Sequence, residues 1–477
     1  MNLHKEYPES LSVGQFIRIC LGIGLLGILV YVPALRTNFF WDDVDSFGSL
    51  CASLENDTFT QWIFRFGNGH LSVIPSICYW IVYRFFDRSI ILWHTAGLVL
   101  HAVSVGSVFY ILLSVLNNKR LSILLGVIFA TSTVYRGNIF DTNSFDHLCA
   151  ISFTLISIAL LCRYIRDGHW AFYVLSVISA LAAIISSAIG LISFPAHLMF
   201  AWAFSPEKQK AIRLYIFSSS LTLVFFALFW IFGAKGEHEG HLNITFGLAQ
   251  AVIGLSKKTV PQMMRIKWLG VPLFLMAIVN IVRYIKFVNR RYITLSIFLA
   301  TGPLAMALVF REDFNNPGLW SRYHHIPVIG IILLIGLGLV TPNMMRISKY
   351  FQPEKIGWYF VILFVAINAG YTYHKNLNGI KGHIRKDLRT YEDLLGEACV
   401  KFSRTYNTNN IAVPDVKTSL PDFPFLRDLI YICRYSTPYS AHLNFKLSAD
   451  DNRLFEILKS DDKFKPVLNR LKNEDKI

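Results

Sequence analysis

The chain has 477 residues, of which 53% are hydrophobic and 14% aromatic, and its mean hydropathy is +0.43. That composition excludes an ordinary water-soluble domain, because apolar stretches of roughly 16 to 25 residues recur along the chain, the length that crosses a hydrocarbon core. The stretches are continuously apolar rather than alternating, which excludes a transmembrane barrel. The formal net charge of +15 does not argue for nucleic acid: no basic and aromatic groove is discernible, and the charge follows membrane-flanking loops and a basic tail. The expected class is an all-α polytopic membrane protein.

The first apolar run, Phe16 to Leu35, follows a mixed-charge start and lacks a small-residue cleavage site, so it is expected to remain as a span rather than be removed. Immediately beyond it, YVPALRTNFFWDDVDSFG (31–48) gathers Asp42, Asp43 and Asp45. A carboxylate at a water interface stays ionised and is able to act as a base. The alternative for this cluster is a solvated helix cap. Residues 71–90, LSVIPSICYWIVYRFFDRSI, are apolar enough to span, but counting them would reverse every later loop. They are expected to lie along the interface as an amphipathic helix, with Trp80 and Tyr83 at headgroup depth, and residues 58–67 form a second such piece.

The predicted spans are residues 17–35, 91–115, 121–135, 144–162, 170–187, 189–204, 214–234, 269–285, 293–310, 326–342 and 357–373, about eleven in all. Lys119, Arg120, Arg163, Arg166, Lys208, Lys210, Arg290, Arg291 and Arg346 concentrate in alternate loops. The positive-inside rule therefore puts the N-terminus in the cytoplasm, and Asp42 and Asp43 outside. From Lys375 onward the chain becomes polar. The expected division is a membrane domain over 1–373, carrying a long outer loop over 36–90, and a small extracytoplasmic domain over 374–477. In that domain NRLFEILKS and PVLNRLKN read as amphipathic helices and VPDVKTSLPDFPF as loop. Cys20, Cys78, Cys149 and Cys162 lie in apolar segments as small core residues, and a Cys399–Cys433 disulfide is one option in the tail.

Candidate site residues fall on the predicted outer loops. Asp141 and Asp146 precede the fourth span, and ionisable residues at the interface are functional candidates. Asp146 with His147 has two open roles, orienting an acceptor or helping to hold a divalent cation; its bland alternative is a helix N-cap. Arg136 is able to pair with either Asp or to contact phosphate. Arg322 and Tyr323 open the tenth span beside Trp320, His324 and His325, where a guanidinium within reach of a lipid phosphate is natural and snorkelling is the alternative. His238, Glu239 and His241 have the wrong spacing for a zinc helix, and His94 and His101 are expected to be packing histidines rather than ligands.

The order of these features resembles a family. TNFFWDD after the first span, an interfacial helix with Pro75, WHTAGLVLHAVSVGSVFYILL, SFDHLCAISFTLISIALLCRY and WSRYHHIPVIGIILLIGLGL follow one another as in the GT-C membrane glycosyltransferases. The nearest likeness is to the protein O-mannosyltransferase branch with TPR tails and its bacterial relatives, over roughly residues 15–345 and without the TPR array. The resemblance implies a GT-C-like helical bundle that uses a polyprenyl-phosphate sugar as donor and a protein or glycan hydroxyl as acceptor. It implies an active site on the outer or lumenal face of a plasma, inner or endoplasmic reticulum membrane. Asp42 and Asp43 then carry general-base catalysis, while Asp146, Asp141, Arg322, Tyr323 and His324 bind substrate. No resident cofactor is implied. Three departures stand out. Ser132–Gly137 replaces a His-Pro-x-x-x-Glu pattern, Ser186-Ser187-Ala188 replaces a Ser-Lys-Glu, and Val73-Ile74-Pro75 replaces an Arg-Pro-Leu. They keep open a non-catalytic scaffold of the same fold. A transporter or flippase for lipid-linked glycans predicts charged or broken helices at the midplane, and the predicted spans hold few ionisable residues.

Overall fold

The computed structural model describes residues 11–36, 50, 53–54, 57–64, 66–67, 70–86, 90–140, 144–204, 217, 220–221, 224, 227, 275, 278–282, 289–309, 324–339, 366–367, 369–374, 376–377, 388–408, 410–414, 444–448 and 453–465. They divide into two compact units. One comprises Met1–Leu35, Phe66–Pro75 and His94–Asn378, the other Arg36–Arg65, Ser76–Trp93 and Gly379–Ile477.

The first unit is built from apolar helices. α1 (Val13–Tyr31) starts where the Ser12 hydroxyl accepts the Gln15 N–H at 3.2 Å, and it runs on as a 3-10 turn over Val32–Arg36. Ile17, Leu21, Leu25 and Leu29 recur every fourth residue and are exposed, whereas Ile23, Gly24, Gly27, Val30 and Tyr31 are buried. An exposed aliphatic stripe of this kind suits a hydrocarbon neighbour, since in water it would be a large uncovered apolar patch. α4 (Ile90–Leu116) passes to α5 (Lys119–Thr131) through Asn117, at φ 49°, and Asn118, whose side chain accepts the Leu121 N–H at 3.0 Å. Asparagine tolerates the left-handed conformation and caps helices, so two residues suffice for the reversal.

After a short helix α6 (Arg136–Phe140), α7 (Phe145–Asp167) packs along α8 (Trp170–Ile184). Gly168, at φ 75°, ends α7 by donating its N–H to the Tyr164 carbonyl at 2.8 Å, a left-handed cap that a glycine supplies without strain. A 3-10 turn (Ala188–Ile192) leads into α9 (Ser193–Phe204), which rests on α7. α10 (Arg290–Val309) packs on α11 (His325–Leu339) so closely that a Cβ at Gly330 would lie 2.3 Å from the Ala300 nitrogen. Small residues permit this approach of backbones where no hydrophobic effect drives helices together. Every residue of α11 from His325 to Gly338 is buried, as expected of a helix apolar on all sides.

Among the described residues, Val13–Leu35, Ile91–Leu116 and Phe145–Asp167 are long and apolar enough to cross a membrane, and Trp170–Ile184, Ala188–Phe204 and His325–Leu339 are shorter apolar helices. On that ground the chain is a membrane protein with transmembrane helices. The expected third span, 121–135, ends early, at Thr131. The predicted spans over 214–234, 269–285 and 357–373 lie largely outside the described residues.

In the second unit, α2 (Phe59–Ile63) and the body of α3 (Val73–Phe86) are helical, shorter than the expected pieces at 58–67 and 71–90, the first of which ends in strand at Phe66–Gly67. Phe59 stacks on Trp62 and lies 5.7 Å from Trp80, and Tyr79 lies 4.3 Å from Trp93. Burial pushes the Cys78 thiol up to about 11. The C-terminal part carries α12 (Leu388–Tyr406) and α13 (Arg453–Ser460), the latter at the predicted NRLFEILKS helix. Ala398, Cys399 and Phe402 of α12, and Leu454, Ile457 and Leu458 of α13, are buried.

Two strand pairs qualify the all-α expectation. β1 (Phe66–Gly67) pairs antiparallel with β2 (His70–Leu71) in the first unit, and β3 (Asn410–Pro414) pairs parallel with β4 (Asn444–Ser448) in the second, in register from Asn410↔Asn444 to Pro414↔Ser448. Val413 and Pro414, expected to open a loop, thus end a strand. Cys399 is a buried free thiol, raised to about 12 by that burial, so the optional disulfide is not formed; Cys433 and the PVLNRLKN helix lie outside the described residues.

Candidate functional site

Among the described residues of the first unit, a buried polar region forms where the ends of α1 and α5 meet Thr372 and Asn376. A helix leaves its last carbonyls without intrahelical partners, and away from water each must be satisfied or it costs free energy. Three successive carbonyls close α5, and each receives a side-chain donor from a different segment. His101 of α4 approaches the Ala130 carbonyl through Nε2 at 3.1 Å, and the Thr372 hydroxyl donates to Thr131 at 2.9 Å. The Tyr31 hydroxyl donates to Ser132. Because Ser132 is already extended (φ −68°, ψ 133°), these donors hold carbonyls that a continuing helix would have used internally. That is the physical reason the expected span stops four residues short. One turn beyond Thr372, the Asn376 amide donates to the Val30 carbonyl near the end of α1, at 2.9 Å.

Aromatic rings fill the space around these bonds. Tyr135 lies between His101, Phe129 and His325, with ring centroids 5.0, 4.7 and 4.2 Å away, and Tyr31 meets His101 edge-on at 5.2 Å. Gly27 of α1 faces the His101 ring, 3.3 Å from where a Cβ would sit. The Asn138 amide nitrogen lies 3.2 Å from His325 Nδ1. An amide nitrogen only donates, so His325 Nδ1 accepts and its proton sits on Nε2. His94 Nδ1 lies 3.1 Å from the Ile139 carbonyl and therefore donates there. The Tyr135 hydroxyl and Asn376 Oδ1 are buried with no hydrogen-bond partner among the described residues. Such groups are where a native structure commonly holds water or ligand polar atoms.

Asp146 and His147 stand in the first turn of α7, which starts beside this region at Phe145. Asp146 Oδ1 accepts both the His147 N–H and the His147 Nδ1–H, each at 2.7 Å, and the two side chains are 12% and 6% exposed. The carboxylate thus sits at the positive end of the helix dipole and fixes its neighbour's imidazole. His324 is fully buried at the start of α11, where its carbonyl accepts the Val328 N–H at 3.1 Å. Asp42, Asp43, Asp141, Arg322, Tyr323 and the Arg136 side chain lie outside the described residues. The described residues that flank those segments do converge: Tyr31 reaches Ser132, and Asn138 reaches His325. No group of three or more His, Cys, Asp or Glu among the described residues is arranged to hold a metal ion.

His94 and His101 pack in the core and bond to backbone, as the sequence led one to expect. Tyr31, Tyr135 and Asn138 were not singled out as site residues, and His325 was noted only as the neighbour of His324. The signal available for them was weak: each is a polar-tipped residue at the end of a predicted span or in the short segment between two spans. No protein-family model matches the chain, and no curated protein matches it.

Proposed function

We propose that the protein is an integral membrane glycosyltransferase of GT-C type, with about eleven spans and its N-terminus in the cytoplasm. It transfers a hexose from a polyprenyl-phosphate donor to a hydroxyl of a protein or glycan acceptor on the outer or lumenal face. The observation that carries the reading is the convergence at the buried polar cluster. In sequence α1 precedes Asp42 and Asp43, α6 precedes Asp141 and α11 follows Arg322 and Tyr323, and the described ends of these three helices meet in that cluster. Transfer from a lipid phosphate needs a base near the acceptor oxygen and positive charge near the departing phosphate, where negative charge grows in the transition state. Asp42 or Asp43 supplies the base. Arg322 supplies a planar fork matched to phosphate, with Tyr323 and His324 beside it. Asp141 and Asp146 orient the acceptor, and a divalent cation at Asp146 and His147 is compatible with the same chemistry. In-line displacement inverts the anomeric centre.

The test is the purified full-length protein given a panel of polyprenyl-phosphate sugars. One member of the panel should be consumed, and either Asp42→Asn or Asp43→Asn should lower turnover by about 10² or more with detergent melting unchanged. If both Asn variants transfer sugar at the normal rate, this assignment fails. A non-catalytic scaffold of the same fold is the second reading. It is favoured by Ser187, which is buried, and Ala188, both uncharged just beyond α8, where the family carries a Lys and a Glu.

A further inference from the structure

The opposite end of the same unit holds a different feature. There α1, α4 and α7 surround an apolar groove of about 750 Å³, within the range of roughly 300–1,000 Å³ that encloses small molecules. Phe16 and Cys20 line it from α1, Val103 and Gly106 from α4, and Leu160 from α7. Its lining also includes Arg163 and Arg166, in the last turns of α7. Both guanidiniums are held against aromatic faces, Arg166 at 5.6 Å over Tyr110 and Arg163 at 5.7 Å over Phe172. Both also reach one carboxylate: Arg166 Nε lies 2.9 Å from Asp167 Oδ1, and Arg163 Nε pairs with Asp167 Oδ2. Two fixed cations facing one anion leave an excess positive charge beside the groove. The Tyr110 hydroxyl, in the groove lining, is buried and has no hydrogen-bond partner among the described residues.

We propose that this groove binds a membrane phospholipid with a net anionic headgroup. One acyl chain lies between α1, α4 and α7, and the phosphate is held by Arg163 and Arg166. The charge and the shape select together. A free anion would meet the guanidiniums but leave the apolar walls wet, whereas a zwitterionic lipid would fill the walls but bring its own cation to two arginines. Planar guanidiniums suit phosphate oxygens, and basic pockets between membrane helices are recognised sites for anionic lipid headgroups. The inference does not depend on the glycosyltransferase reading, since none of these residues belongs to the proposed active site.

The test uses the full-length protein in detergent, titrated by native mass spectrometry with phosphatidylglycerol, phosphatidylcholine, a polyprenyl phosphate and inorganic phosphate. Phosphatidylglycerol should bind at least tenfold more tightly than phosphatidylcholine or inorganic phosphate, and polyprenyl phosphate, which the proposed active site also takes, should bind as well to Arg163→Gln/Arg166→Gln as to wild type. Arg163→Gln/Arg166→Gln should reduce phosphatidylglycerol binding to the phosphatidylcholine level, whereas Asp167→Asn should strengthen it severalfold by removing the competing carboxylate. That gain separates a binding role from a structural one, because loss of a purely structural ion pair would weaken every ligand. Arg163→Lys/Arg166→Lys provides a folded comparison if the Gln pair is unstable, and should keep part of the preference. Equal binding of the two phospholipids, tighter binding of inorganic phosphate, tighter binding of polyprenyl phosphate that Arg163→Gln/Arg166→Gln abolishes, or weaker binding by Asp167→Asn would each overturn the proposal.

Discussion

At the helix ends that meet in the first unit, the polar side chains are buried, neutral and aimed at backbone; in the C-terminal part of the second unit, they are charged, exposed and aimed at one another. His101, Thr372, Tyr31 and Asn376 all close on main-chain carbonyls of helix ends. Lys401 instead meets Asp461 at 2.7 Å, Lys463 pairs with Glu397 and Lys465 meets Asp462 at 2.6 Å, with partners 34–87% exposed. The contrast follows from what each set of groups would find without its partner. A carbonyl inside a helical bundle has no water to fall back on, so a neutral donor from a neighbouring helix removes a real cost without bringing a charge that must itself be desolvated. A carboxylate on an exposed surface is already solvated, and its partner adds little.

The comparison is broken most sharply at His101. His101→Phe keeps a ring among Tyr31, Phe129 and Tyr135 but leaves the Ala130 carbonyl without its donor, whereas His101→Gln keeps a donor and loses the stacking. A buried acceptor left unsatisfied costs about 1–3 kcal/mol. The Phe variant should therefore melt well below wild type in detergent, and the Gln variant should fall between them. If Phe is neutral and Gln is the damaging change, ring packing and not the capped carbonyl holds this end of the bundle.

Helices made by long apolar runs were legible in the sequence to within about one turn: the expected 91–115 is Ile90–Leu116, and the expected 144–162 starts one residue later and ends five residues later, as Phe145–Asp167. Length and hydropathy decide such helices locally. The errors lie where partners distant in sequence decide. The span expected to reach Tyr135 stops at Thr131 because donors come from Tyr31, His101 and Thr372, and nothing within 121–135 announces them. The predicted span 189–204 opens as a 3-10 turn, close to where the Ile185 carbonyl accepts the Val73 N–H at 2.8 Å, more than a hundred residues away in sequence. The β3–β4 pair was missed for the same reason, since a parallel pairing is set by a partner that no local pattern reveals. Of the candidate site, Asp146 and the double histidine were visible as polar residues at a span entry. Tyr135 and Asn138 gain meaning only from the rings and the helix end that meet them.

A second polar cluster in the first unit sharpens the comparison, because it joins helix flanks rather than capping an end. The Ser157 and Ser176 hydroxyls each donate to the other's carbonyl at 2.7 Å, and His197 Nε2 lies 2.5 Å from Ser157 Oγ and 3.2 Å from Ser176 Oγ. All three residues are buried, and they tie α7, α8 and α9 together. Ser157→Ala leaves His197 a substitute in Ser176. Interhelical side-chain bonds of this kind average about 0.6 kcal/mol and reach about 1.7. The variant should lower detergent stability by less than His101→Phe does. A loss as large as that of His101→Phe would mean that redundancy among hydroxyls does not soften the cost.

The smallest effect belongs to the exposed pairs of the tail, and pH reads it best. The hydrogen bond from Lys401, supported by the Lys463 N–H at 3.1 Å, holds the Asp461 carboxyl below its ordinary range. A carboxyl lowered in the folded state binds its proton less readily there than in the unfolded chain. Its contribution is therefore complete above the unfolded value and is lost as pH falls through the lowered folded one. Asp461→Asn should accordingly leave stability at pH 7 close to wild type, because the pair is solvated and screened. It should also flatten the part of the acid dependence that lies below the usual aspartate range. Amide hydrogen exchange of residues 453–465, followed from pH 7 into that range in wild type and variant, isolates this local effect from the rest of the molecule. If the variant opens the segment at pH 7 as readily as acid does in wild type, the exposed pair matters as much as the buried donors, and the contrast between the two regions fails.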